Sequence, residues 1–114
     1  MLGRMQTVRV ALAQIAPALG QFDANLARHH ELIDEARSKE ADLVVFPELG
    51  LTGYQLQDLA AEVSIRLDDP RLADLAAATK DLSVIVSYVE EAAVHRLFIA
   101  AAHLVDGESR HVHR

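Results

Sequence analysis

Apolar residues recur along this chain at two different periods, and the switches between them mark out its elements. From Val8 to Ile15 they alternate. Val8, Val10 and Leu12 fall on one side, and Ala11, Ala13 and Ile15 on the other. Apolar residues on both sides predict a strand covered on two faces. Pro17 and Gly20 end it. The spacing then becomes helical. Leu26, Leu32, Ile33 and Ala36 form one stripe, Asp23 stands where a side chain caps a helix, and the helix is expected to stop near Lys39. Leu43-Val44-Val45-Phe46 is a short continuous apolar run that predicts a second strand. Strand, helix and strand within about 40 residues predict a βαβ unit with parallel pairing.

The pattern loosens after Tyr54, with a short helical piece expected near Gln57–Val63. Asp69-Pro70 predicts a helix start, since Asp caps well and Pro fits the first helical position. Leu72, Leu75, Ala76 and Thr79 follow on one face. Val84–Tyr88 predicts a third strand, Glu91–Arg96 a polar connection, and Leu97–Val105 a fourth strand. Asp106-Gly107 is a strong hairpin signal, with Ser109–His113 as the returning strand. The fold class is therefore α/β. The chain stops at Arg114, inside the returning strand, where a domain of this design normally continues and covers its sheet edge. The 114 residues read as the N-terminal portion of a single larger domain.

Composition narrows the function classes. The chain is 51% hydrophobic and 25% charged, enough apolar content for a core, and its net charge is −6. That balance argues against a general nucleic-acid binder and against binding to an anionic membrane. It contains no cysteine, which excludes disulfides, thiolate zinc sites and a cysteine nucleophile within these residues. No run approaches the roughly 18 apolar residues of a membrane span. A secretory signal is not expected either. Gln14 breaks the apolar run after Val10–Ala13, short of the roughly 7–15 residues such a segment needs. A cytoplasmic location is expected.

The chemistry concentrates at the end of the second strand. Phe46-Pro47-Glu48-Leu49-Gly50-Leu51-Thr52-Gly53-Tyr54 places a carboxylate just past the strand, in a turn built on two glycines. Ligands of open α/β sheets bind outside the carboxyl ends of the strands. Pro47 stiffens the approach, and Gly50 and Gly53 allow a sharp turn. A partly buried Glu48 would have a raised pKa suited to proton transfer near neutral pH. On the pattern alone a structural Glu48, paired with an arginine or capping the turn, is the reading favoured over catalysis. Tyr54 either lines a pocket or packs on the sheet.

His111 and His113 share a strand face but have no third ligand at a useful spacing, so no metal is expected. His29 and His30 fall at the boundary of the first helix's buried face, and His103 reads as half-buried. No serine has the surroundings of a nucleophile elbow, and no Gly-rich phosphate loop is present. No cofactor is expected.

Asp42–Leu49 with Leu51-Thr52-Gly53-Tyr54 resembles the first catalytic motif of the nitrilase superfamily of carbon–nitrogen hydrolases. Val10–Pro17 resembles that family's opening strand. Gly20 and Asn25 fall where the family has a Gly and an Asn. Asp58-Leu59 is similar to the branch that includes the glutamine-hydrolysing domain of NAD synthetases. The resemblance implies an α-β-β-α sandwich, of which only the N-terminal part is present. It implies attack on an amide, nitrile or carbamoyl carbon of a small-molecule substrate by a cysteine, with a glutamate moving protons and a lysine stabilising the tetrahedral intermediate.

Glu48 carries over as that glutamate, the general base; Tyr54, just past the turn, is the candidate substrate-binding residue. The lysine would immediately follow His111-Val112-His113-Arg114, with the cysteine further on. Lys39 and Lys80 lie outside any such motif. The chain by itself is therefore expected to be inactive. It departs from the family at Phe98-Ile99-Ala100, where Tyr-Asn-Ser or a close variant is common. The resemblance also implies homo-oligomers. The rival reading is a non-catalytic α/β binding or interaction module that uses the sheet edge at Ser109–His113.

Overall fold

The computed structural model describes residues 6–114. Strand β1 is Val10–Leu12, and helix α1 (Phe22–Ser38) leads from it to β2 (Leu43–Val45). A single 3-10 turn at Gln57–Leu59 precedes α2 (Ala60–Val63), and α3 (Pro70–Ala77) follows. The long strands β3 (Ser83–Ala92), β4 (Arg96–Val105) and β5 (Glu108–His113) complete the chain. One mixed sheet results, in the order β1-β2-β3-β4-β5. The β1–β2 and β2–β3 pairings are parallel, and β3–β4 and β4–β5 are antiparallel. The expected βαβ unit and α/β class are both present.

Alternation along the strands decides what is covered. Val44, Val84, Val86, Tyr88, Ala102 and Leu104 share one face and are at most 1% exposed. Helix α1 brings Ile33 and Ala36 to that face, and α3 brings Leu72 and Leu75. Fully burying an aliphatic side chain such as Ile33 or Leu75 contributes about 1.5–3 kcal/mol. Both helices lie on the same side. On the opposite face Val10, Leu12 and Ile99 are 47%, 74% and 52% exposed. The expectation that β1 is covered on two faces is thus corrected: α1 covers only the side of Ala11, and Ala11, Ala13 and Ile15 pack there. Among the described residues the structure holds one sheet and one helical layer of the expected sandwich.

The helix ends show where local signals won. Asp69 caps α3 as expected: its Oδ1 accepts from Arg71 N at 2.8 Å, and Pro70 opens the helix. Asp23 does not cap α1. The helix starts at Phe22, with Gln21 at the cap and no side-chain capping bond. Phe22 is drawn into the core at 7% exposure, with the Arg71 guanidinium 4.2 Å above its ring. That burial carries the helix start past Asp23, which pairs with Arg71 instead (3.1 Å). Asp106 and Gly107 both have positive φ, 53° and 82°, as a tight primed hairpin turn requires.

Strand β3 runs to Ala92, well beyond Tyr88, so Glu91 and Ala92 belong to the sheet rather than to the connection. Among the described residues no helix is long and apolar enough to cross a membrane.

Candidate active site

The turn after β2 is held from three directions. Phe46 N donates to Ile85 O at 3.0 Å, which carries the parallel register one residue past β2. The chain then reverses. Gly50 N donates to Pro47 O (3.0 Å) and Gly53 N to Leu49 O (2.8 Å). Leu49 takes φ 53° and Gly53 φ 91°. Only a glycine fits at 53 without strain, because an added Cβ there would meet Leu19 Cα and Cδ1 at 3.1 Å.

From β3, Ser87 accepts from Leu49 N through Oγ (2.9 Å) and from Leu51 N through its carbonyl (3.2 Å). From α1, Asn25 Nδ2 donates to Leu51 O (3.1 Å) and to Ala18 O (2.9 Å), while its Oδ1 accepts from Ala18 N (2.8 Å). From the loop before α1, Gly20 N donates to Thr52 O (2.8 Å). Leu49, Gly50, Leu51, Thr52 and Gly53 are all buried.

Glu48 alone in this turn points out. It is exposed, which corrects the expectation of a partly buried carboxyl. The turn's apolar residues fill the interior, and the intervening carboxylate is left at the surface. Among the described residues Glu48 neither pairs with an arginine nor caps the turn. Its Oε2 accepts a hydrogen bond from the Tyr54 hydroxyl. That contact and the nearby negative charge raise the Tyr54 pKa, because both favour the proton staying on the phenol. Tyr54 is 66% exposed and does not pack on the sheet.

Glu48 lines an open cleft of about 480 Å³ with Phe46, Ser87, Ile99, His113 and Arg114. The departure at Phe98-Ile99-Ala100 thus places an aliphatic Ile99 on the cleft wall. The sequence singled out Glu48 and Tyr54 separately, and the structure joins them by a hydrogen bond. Sequence reasoning did not place the end of β5 beside Glu48, a consequence of the β3–β4–β5 pairing.

Three buried polar residues around this site went unrecognised in the sequence. Glu90 is 1% exposed and receives two charged bonds from Arg114: Nε to Oε1 at 2.6 Å and Nη2 to Oε2 at 2.7 Å. A buried carboxylate needs such a partner. The signal was available, since Glu90 continues the period-2 set Val84, Val86, Tyr88. Ser87 is buried because its hydroxyl and carbonyl serve the turn. His29, expected at the boundary of the helix's buried face, is fully buried at 0% exposure. Its ring stacks on Phe46 at 3.9 Å, and its Nδ1–H donates to Asn25 O at 2.7 Å. Burial pushes its pKa down to about 4.

The remaining candidates are dispersed. His111 and His113 are exposed on β5, His103 is half-buried as expected, and His95 Nδ1 lies 2.8 Å from Glu91 Oε1. Among the described residues no three metal-ligating side chains converge. Lys39 meets Glu35 at 3.2 Å, away from the Glu48 cleft.

An exposed carboxylate on a rigid turn at a cleft is suited to accept and return a proton. Comparison with known proteins identifies the family. The sequence profile of the family described as "Carbon-nitrogen hydrolase" matches residues 9–113. The chain is 38% identical over 111 residues to a glutamine-dependent NAD(+) synthetase of Thermotoga maritima, covering 96% of this chain and 19% of that one. It is 33% identical over 93 residues to an arylacetonitrilase of Hypocrea virens, covering 72% of this chain and 28% of that one. The solved glutamine-dependent NAD+ synthetase of Acinetobacter baumannii, in complex with ADP, superposes with a TM-score of 0.76 at 31% identity, over 91% of this chain and 20% of that one. The chain thus spans about a fifth of the length of the NAD synthetases it matches. With nearly all of its residues inside the family profile and its fold shared with these relatives, the chain belongs to the carbon–nitrogen hydrolase family.

Proposed function

We propose that this chain is the Glu48-bearing portion of an enzyme that hydrolyses a carbon–nitrogen bond in a small amide, nitrile or carbamoyl substrate. The observation that carries the reading is Glu48 itself: an exposed carboxylate at a cleft, on a turn clamped to α1, to β3 and to the loop before α1. Such a mount holds a proton-transfer group in place at little entropic cost during reaction. In this reading Glu48 takes the proton of an attacking cysteine thiol as sulfur bonds to the substrate carbon. With an amide, it gives that proton to the departing amine as the C–N bond breaks. It then takes a proton from the water that attacks the thioester and gives it to the cysteine sulfur as the C–S bond breaks. A lysine stabilises the oxyanion. Both the cysteine and the lysine come from residues beyond these 114. In this reading Tyr54, whose hydroxyl bonds to Glu48, is a substrate-binding residue.

Glutamine is the first substrate to test, because glutamine-dependent NAD synthetases are among the relatives. An arylacetonitrile is the second, for the corresponding reason. The purified 114-residue chain should turn over neither. In a protein carrying this segment together with the lysine and cysteine, Glu48→Gln should lower kcat by about 10²–10⁴-fold, with the fold preserved by circular dichroism. Turnover by the 114-residue chain that disappears in Glu48→Ala would refute the division of labour. Full activity of the Glu48→Gln enzyme would refute the role of Glu48.

A further inference from the structure

His29 touches the chain on both sides of Glu48. Its ring stacks on Phe46, two residues before, with centroids 3.9 Å apart and planes inclined by 18°. Its Nε2 lies under Gly50, two residues after, where a Cβ would be only 3.2 Å away. Nδ1 is occupied by Asn25 O at 2.7 Å. A carbonyl only accepts, so Nδ1 carries the proton and Nε2 the lone pair. That Nε2 is buried with no hydrogen-bond partner among the described residues.

A fully buried imidazole with one ring nitrogen unsatisfied costs free energy that an aliphatic side chain of similar size would not. Core packing alone therefore does not account for a histidine here. Its shape does. The ring is flat enough to stack on Phe46 and short enough to leave room for the Gly50 backbone. The bond to Asn25 O, one helical turn earlier, fixes its orientation. Asn25, on the same face of α1, holds Leu51 O at 3.1 Å. Together the two side chains form a rigid polar platform beneath the turn.

We propose that His29 is a positioning residue for Glu48: by bracing Phe46 and Gly50 it sets the direction in which the Glu48 carboxylate leaves the turn. This rests on the reading of Glu48 as the general base, but its test does not need turnover. The Tyr54 hydroxyl bonds to Glu48 and reports where that carboxylate is. The chain has two tyrosines and no tryptophan. The other, Tyr88, is buried and its pKa is pushed up to about 12, and the two residues are told apart by their assigned ¹³Cζ resonances.

The experiment follows the ¹³Cζ resonance of Tyr54 through its alkaline titration, in labelled 114-residue chain. Glu48→Gln fixes the endpoint expected when the carboxylate is gone. His29→Gln keeps a donor for Asn25 O but removes the flat ring. Gly50→Ala keeps the His29 ring but sets a Cβ 3.2 Å from its Nε2 and 3.1 Å from Pro47 O, so it presses on the turn from the other side. Leu75→Val, in the core under α3 and away from the turn, controls for general loss of stability.

The proposal expects the Tyr54 midpoint to move from its raised value toward 10.0 in His29→Gln and in Gly50→Ala, and to stay at the wild-type value in Leu75→Val. If His29→Gln does not melt cooperatively, Gly50→Ala carries the test. A Tyr54 midpoint unchanged in the folded variants overturns the proposal, as does an equal movement in Leu75→Val. Failure of the Glu48 assignment would appear instead as full activity of the Glu48→Gln enzyme, with the tyrosine titrations unaffected.

Discussion

Lowering the pH from 7 to 4 should cost this fold about 3 kcal/mol through His29 alone. The ring is fully buried, and burial holds its pKa at about 4, against 6.5 for an unperturbed imidazole. The hydrogen bond to Asn25 O opposes this shift but is the smaller effect. In the unfolded chain the ring gains a proton as the pH drops through about 6.5. In the folded chain it stays neutral until about pH 4. Between those values the unfolded state binds more protons, so stability falls as pH falls. A gap of about 2.5 pH units at about 1.36 kcal/mol per unit gives roughly 3 kcal/mol, a large part of the 5–15 kcal/mol that holds a typical domain.

Below about pH 4 both states are charged and the contribution levels off. Asp69 acts in a different window. The Arg71 side chain holds its carboxyl below the ordinary value of 3.8, so its contribution is lost only as the pH falls below that value. The assay is urea unfolding of wild type and His29→Gln at about pH 7, 5.5 and 4.2. The variant should lose about 3 kcal/mol less than wild type between the first and last points. Parallel pH dependence in the two proteins would refute the argument, because it would mean that the native ring titrates as it does in water.

Other substitutions test single contacts. Asp69→Ala should destabilise by about 1 kcal/mol through loss of the α3 cap, read from the urea midpoint. Ser87→Ala leaves the buried Leu49 N–H without its acceptor and should cost about 1–3 kcal/mol, with faster hydrogen exchange at Leu49. Gly53→Ala forces a side chain into φ 91° against Leu19 and should destabilise by at least the ~1–2 kcal/mol of a left-handed non-glycine residue, read as a lower thermal midpoint. Arg114→Ala strands the buried Glu90 carboxylate and should destabilise more than Glu90→Gln, whose freed arginine turns to solvent; equal urea midpoints would contradict the pairing.

Much of this molecule was legible in its sequence, for reasons of range. Leu43–Phe46, the Asp69-Pro70 start and the Asp106-Gly107 turn are local signals, set by backbone sterics and by side chains within a few residues. The place of Glu48 just past β2 was legible too, but its exposure was not, because which side chains of the turn fill the interior depends on α1 and β3 packing around it. Tertiary structure decided everything that depended on a distant partner. Phe22 overrode Asp23 because core burial outweighs a cap. Strand β1 kept one bare face because both helices found the same side of the sheet. Glu90 is tolerated inside only because β5 returns Arg114 to it across the sheet. Helical spacing placed His29 near the edge of the buried stripe. Only the folded chain seats it between Phe46 and Gly50, since that contact needs α1 packed against the end of β2, and no period along the sequence encodes how two elements meet.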